Sequence, residues 1–210
     1  MASAQIKLPH NFDAILKRAD SKVDKSSDKL KNHLVGGISM DNQKMRFLAD
    51  CETSKNTFWI YARGMDITSG DDKNCWNWTF MKDDDVNAHV QVAELLGVTD
   101  LSLKAQFETE LLSPNTHYEV AFVLMMKKKS EGFDQGHQVT LSLVIPDGSE
   151  QTRKEDLSKM TKNEWKQIRI GAFKTSDDME GSMEISLSES GSQTKKGLVV
   201  QKIVIRPIVK

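Results

Sequence analysis

The 210 residues contain only two cysteines, Cys51 and Cys75. Neither a disulfide scaffold nor a four-thiolate zinc site can be assembled from them, and in a reducing compartment both are expected as thiols. Charge of one sign is also missing. Twenty-nine Lys and Arg face thirty Asp and Glu, a net charge of −1, so no general basic field exists to hold nucleic acid. Long hydrophobic runs are absent as well. The longest, Val120 to Met126, is far too short to span a bilayer, and the opening MASAQIKLPHNF has no apolar core of a secretory signal. A soluble cytosolic chain is the expectation, and Asn77-Trp78-Thr79 then reads as an accidental sequon.

Catalytic signatures are equally scarce. No Gly-x-Ser-x-Gly elbow, P-loop or dinucleotide glycine pattern occurs, which removes the commonest visible nucleophile and phosphate-cradling chemistries. The five histidines, at 10, 33, 89, 117 and 137, lack ligand spacing and read as surface residues. Asp83-Asp84-Asp85 has the composition of a metal site without its alternation, and reads as a solvated charged turn. Lys127-Lys128-Lys129 reads as a soluble loop after a hydrophobic strand.

What is present is β-patterning. Tyr118, Val120, Phe122, Leu124 and Met126 alternate along one run, and eight further runs are expected as strands: 58–62, 76–80, 90–95, 101–107, 139–145, 165–170, 183–187 and 198–205. Nine short strands separated by turn signals such as Pro146-Asp147-Gly148 imply an antiparallel β-sandwich. Residues 150–163, polar and charged, are expected as a loop holding at most a short helix. Ahead of the strands, Asn11 and Ser26 or Ser27 are placed to cap two short helices, the second stopped by Gly36-Gly37, and the domain boundary is expected near residue 45.

The most informative stretch runs from Ile67 through Ser69, Gly70, Asp71 and Asp72 into Trp76-Asn77-Trp78. A polar loop leading to indoles suits a sugar, whose apolar C–H face lies on an aromatic ring while carboxylates and amides bind its hydroxyls. Spacing alone favours the core for Trp76 and Trp78, which lie two apart and so share a sheet face. Trp59 and Trp165 are read as core.

Several motifs in order carry a resemblance: Phe58-Trp59-Ile60-Tyr61-Ala62-Arg63-Gly64 with Trp76-Asn77-Trp78, Leu112-Ser113-Pro114-Asn115-Thr116-His117-Tyr118, Val144-Ile145-Pro146-Asp147-Gly148, and Lys195-Lys196-Gly197-Leu198-Val199-Val200 through Pro207. The sequence resembles the phloem protein 2 lectin family from about Phe58 to Pro207 and is similar to the tobacco agglutinin domain. Asp13-Ala14-Ile15 and Asp24-Lys25-Ser26-Ser27 resemble the extension of its long members.

The resemblance implies a non-catalytic jelly-roll lectin, cytosolic or nuclear, that binds N-acetylglucosamine oligomers and N-glycan cores without metal or other cofactor. It implies a homodimer and, through cysteines, a disulfide link to a phloem filament protein, for which Cys51 and Cys75 are the candidates. It also implies two rival roles: a structural phloem component that has lost sugar binding, and carriage of RNA or protein. The family's site tryptophan falls on Trp76 and a site acid on Glu189, with Asp71, Asp72 and Lys195 as polar neighbours. Three usual side chains have changed, to Ser69, Ser182 and Thr194. Losing one indole platform, worth about 1 to 3 kcal/mol, implies affinity lower by roughly tenfold to a hundredfold. The expected site is formed by loops 69–76 and 181–195.

Overall fold

The structure is a computed structural model and describes residues 7–50, 52–133 and 136–208. Two short helices, α1 (Phe12–Lys17) and α2 (Ser27–Gly36), precede twelve strands among the described residues: β1 (Ile38–Met40), β2 (Met45–Ala49), β3 (Asn56–Tyr61), β4 (Asp66–Ile67), β5 (Trp76–Asp83), β6 (Ala88–Leu95), β7 (Val98–Glu108), β8 (His117–Glu131), β9 (Val139–Val144), β10 (Glu150–Glu155), β11 (Trp165–Lys174) and β12 (Ser182–Pro207). Every strand pairing is antiparallel. The chain is an all-β jelly-roll sandwich.

β12 belongs to both sheets. Its first part, from Ser182, lies between β7 and β9, with β4 and β10 at the outer edges. After a register shift between Ser190 and Lys195 it continues between β8 and the pair β3 and β6, which meet its other flank at Lys202–Ile205 and Val199–Val200. Two runs that read as separate strands, 183–187 and 198–205, are therefore one strand. The stretch expected as a loop at 150–163 also differs: residues 150–155 form β10, an edge strand on β9, followed by a single 3₁₀ turn at Leu157–Lys159. Its sequence, EQTRKE, is polar on both faces, so alternation gave no sign of it.

The main core lies between the sheets and under the helices. On β8 the alternating set Tyr118, Val120, Phe122, Leu124 and Met126 is fully buried in it, each large side chain contributing about 1.5 to 3 kcal/mol relative to exposure. A six-residue helix has no stability of its own in water. α1 is held because Phe12 and Ile15 enter this core, Phe12 opening an aromatic chain through Phe47 and Phe58 to Phe107 with centroids 6.2, 5.3 and 4.9 Å apart. Asn11 does precede α1, but its side chain donates to the Glu110 carbonyl at 2.6 Å instead of capping the helix.

The other face of β8 is buried too. Val123 and Met125 join Trp59, Tyr61, Val90, Val92, Val199 and Val204 in a second cluster, against which the half-buried Trp165 packs. Lys202 lies fully buried here, with its ammonium 2.8 Å from both oxygens of Asp83, 2.7 Å from Asp85 and 3.6 Å from the Trp59 ring centroid. The reading of Asp83-Asp84-Asp85 as a solvated turn is thus corrected at Asp83, which is 2% exposed. A buried ammonium 119 residues away fixes it there.

Between β1 and β2 three successive residues, Asp41, Asn42 and Gln43, have left-handed φ of 54°, 59° and 64°, an unfavourable run for side chains with a Cβ. Asp20 secures it: its carboxylate accepts from the Asn42 and Gln43 amides at 2.6 and 2.8 Å and from the Ser39 hydroxyl at 2.6 Å. Burial raises the Asp20 pKa, but these hydrogen bonds outweigh it and hold the group below its ordinary value of 3.8. A depressed folded-state pKa gives stability that is present above the unfolded value and lost as pH falls. Asp20→Ala is therefore expected to cost roughly 1 kcal/mol at pH 7, after discounting for its solvent exposure. Melting curves of the two proteins should converge below pH 3.8; an unchanged gap there would contradict this role.

Candidate functional site

Strand pairing brings two connections and an irregular stretch of β12 to one end of the sandwich. The amide of Thr68, just past β4, donates to the Ser102 carbonyl at 3.0 Å, and β7 in turn places Leu101 opposite Glu189. At the far side of the loop the Cys75 carbonyl accepts from Leu96 and Gly97 at 2.8 and 3.3 Å, while Val98 pairs with Lys195. Loop 68–75, connection 96–97 and the irregular stretch of β12 at 190–195 are thereby neighbours. Ser182 is not among them. It pairs with Glu108, seven residue pairs from Leu101–Glu189 along the same ladder, about 23 Å away at roughly 3.3 Å per residue. The expected grouping of Ser182 with Ser69 and Glu189 is corrected, because 182–190 is extended strand and its ends cannot meet.

Trp76 is also corrected as a stacking platform. It is 1% exposed and sits in the main core, with its indole N–H donating to the Thr68 carbonyl at 2.9 Å. Trp78, half-buried, donates to the Gly70 carbonyl at 2.8 Å and carries the Arg63 guanidinium 3.5 Å above its ring. Both indoles grip the loop from beneath. The loop's own bonds complete its shape: the amides of Gly70 and Asp72 donate to the carbonyls of Ile67 and Ser69 at 2.8 and 3.0 Å, and Ser69 takes a left-handed φ of 58°. The Asp72 carboxylate accepts from the backbone and side-chain nitrogens of Asn74 at 2.8 and 3.0 Å, which holds its pKa below the usual carboxylate range. Ser69, Asp71 and Asp72 are exposed.

Glu189 and Lys195 form a direct buried ion pair. The Lys195 ammonium also donates to the carbonyls of Thr99, Gly191 and Gln193 at 2.5, 3.2 and 3.1 Å, so its three protons are engaged within the protein and its assignment as a ligand donor is corrected. Burial pulls its pKa down while the field of Asp100 opposes this. Glu189 accepts from the Gly191 amide at 3.2 Å and lies 3.4 Å from His137 Nδ1. His137 was missed in the sequence, where nothing local ties it to a residue 52 positions away. A Cβ at Gly191 would lie 2.6 Å from Glu189 Oε1, so a larger residue there would have to displace the end of that side chain. Glu189→Gln is expected to cost about 1 to 3 kcal/mol in urea unfolding, because a buried ammonium loses its charged partner but keeps three carbonyls. An unchanged midpoint would mean that the pair does not support the fold.

Cys75 is a free thiol whose pKa is raised by burial and by Asp72; Cys51, the other candidate for a cross-link, lies outside the described residues. Among the described residues no group of three His, Cys, Asp or Glu side chains is placed to hold a metal ion, and no helix is long and apolar enough to cross a membrane. The arrangement offers a fixed loop of hydroxyl, carboxylate and backbone groups, suited to hydrogen-bonding a polyhydroxylated ligand.

Residues 55–207 match the family model described as Phloem protein 2. A lectin of Luffa acutangula is 33% identical over 210 residues, covering 99% of this chain and 98% of its own. Protein PHLOEM PROTEIN 2-LIKE A1 of Arabidopsis thaliana is 32% identical over 99% of this chain and 84% of its own. Among solved structures, the CBM22-1 xylan-binding domain of Paenibacillus barcinonensis Xyn10C matches 72% of this chain and 86% of its own, with a TM-score of 0.39 and 11% identity. With the family model spanning most of the chain and relatives aligned along nearly all of it, the chain belongs to the phloem protein 2 family.

Proposed function

We propose that this protein is a non-catalytic, metal-independent cytoplasmic lectin that binds N-acetylglucosamine oligomers and N-glycan cores at the end of the sandwich where loop 68–75 meets Glu189. The supporting observation is the exposed polar loop held rigid by the indole N–H groups of Trp76 and Trp78. A loop fixed before binding loses little entropy on meeting its ligand. The Ser69 hydroxyl and the carboxylates of Asp71 and Asp72 serve the sugar hydroxyls and acetamido N–H. No large aromatic face is exposed on this loop, so single-site affinity is low and a homodimer supplies avidity.

Calorimetric titration with the N-acetylglucosamine trimer tests this. Ser69→Trp, which places an indole at the loop tip, is expected to tighten binding roughly tenfold, and Asp71→Asn to weaken it. No heat and no shift in melting temperature at millimolar trimer would overturn the proposal. The burial of Trp76 favours a second reading, in which sugar binding is lost and the protein serves structurally in phloem. Cross-linking through Cys75 gains little support, because a raised thiol pKa lowers the thiolate fraction needed for exchange.

A further inference from the structure

On β5 the side chains of Trp76, Trp78 and Phe80 share one face at the two-residue period of a strand and emerge in steps from the core: buried, half-buried, and 64% exposed. Phe80 lines a cleft of about 550 Å³ between the β5–β6 hairpin and the turn joining β1 to β2. This is the size of a small-ligand site. The cleft is also lined by Asn42, Gln43 and Gln91, the last paired directly with Phe80 across β5 and β6, and by Arg46, Arg63 and His89.

Both arginines are presented in a defined way. Arg63 has its guanidinium carbon 3.5 Å from the Trp78 ring centroid and its Nε donating to Gln91 at 2.9 Å, so two contacts hold the group in place. Arg46, which also lines the cleft, donates through one terminal nitrogen to the Gly36 carbonyl at 3.0 Å, which anchors its guanidinium. Among the described residues, the one acid lining the cleft, Asp20, is already engaged by the Ser39 hydroxyl and two amides. The wall is the left-handed turn 41–43, and strained backbone of this kind is concentrated at ligand sites.

We propose that this cleft is a second binding site and that it takes an acidic sugar, a uronate-containing oligosaccharide. Phe80 carries the apolar face of one pyranose, the guanidinium groups of Arg46 and Arg63 pair with its carboxylate, and the three amide side chains serve hydroxyls. A pyranose bearing a carboxylate matches one exposed aromatic ring with two guanidinium groups lining the same cleft. The site is separate from the loop containing Ser69 and Asp71.

Calorimetric titration of the full chain with trigalacturonate, beside its methyl ester, inorganic phosphate and adenosine monophosphate, tests the assignment. Saturable binding of the acid is expected, at least tenfold tighter than the ester, weakened by salt and reduced about tenfold in both Phe80→Ala and Arg63→Gln. Phe80 is exposed, so its replacement leaves the fold intact even if Arg63→Gln loosens Trp78. Asp71→Asn should leave this binding unchanged, and Phe80→Ala should leave binding of the N-acetylglucosamine trimer unchanged. Equal affinity for the ester, no saturation, wild-type affinity in both variants, or tighter binding of phosphate or the nucleotide would each overturn it.

Discussion

Asp83→Ala should unfold at a markedly lower urea concentration than the wild type, with a loss of about 3 kcal/mol. Removing one partner of a buried ion pair leaves the other charge uncompensated, which generally costs about 3 to 5 kcal/mol. Lys202 and Asp83 are 0% and 2% exposed, so solvent cannot take over the lost interaction. The lower end of the range applies because Asp85 remains 2.7 Å from the ammonium and the Trp59 ring 3.6 Å from it. Melting should fall by roughly 6 to 12 °C for a chain of this length. Asp85→Ala gives the contrast. Its side chain is 58% exposed, and an exposed partner is worth less than about 1 kcal/mol. The double replacement Asp83→Leu with Lys202→Met should recover most of the loss, since an apolar pair of similar size avoids desolvating two charges. Equal, small losses in the two alanine variants would show that Lys202 reaches water.

The second large effect is at Trp76. Trp76→Ala is expected to cost about 3 to 5 kcal/mol, the usual range for emptying a tryptophan-sized core site, and the Thr68 carbonyl would lose its indole donor as well. Melting should fall by roughly 6 to 20 °C, whereas Ser69→Ala on the exposed loop should stay within about 0.5 kcal/mol of wild type. A residue acting only as a sugar platform would behave the other way, losing affinity while keeping its melting temperature. Measuring both quantities on the same variant separates the two roles. Trp76→Phe should fall between, keeping much of the buried area and losing the hydrogen bond.

The sequence of loop 68–75 and β5 shows how far pattern alone reaches. Trp76 and Trp78 share a face by spacing, and spacing by itself pointed to the core, where Trp76 lies. The family resemblance pointed instead to a stacking role that its burial rules out. Neither could distinguish Phe80, which continues the same face, because exposure along a strand depends on where the opposing sheet ends. Glu189 and Lys195 were both legible as residues of interest, yet only their mutual approach shows that they satisfy each other.

By itself the sequence determined the architecture and the family. Two-residue alternation along β8, turn residues between runs, two short helical patterns and the ordered motifs from Phe58 to Pro207 are local properties, and they pointed to an antiparallel sandwich. Tertiary structure decided everything that depends on separation in space: that 182–207 is one strand shared by two sheets, that Ser182 lies at the opposite end from Glu189, that Asp83 meets a lysine 119 residues away, and that Arg46, Arg63 and Phe80 line one cleft. Side-chain periodicity records which face a residue occupies. Strand register and sheet closure, set by the whole core together, determine what stands opposite it.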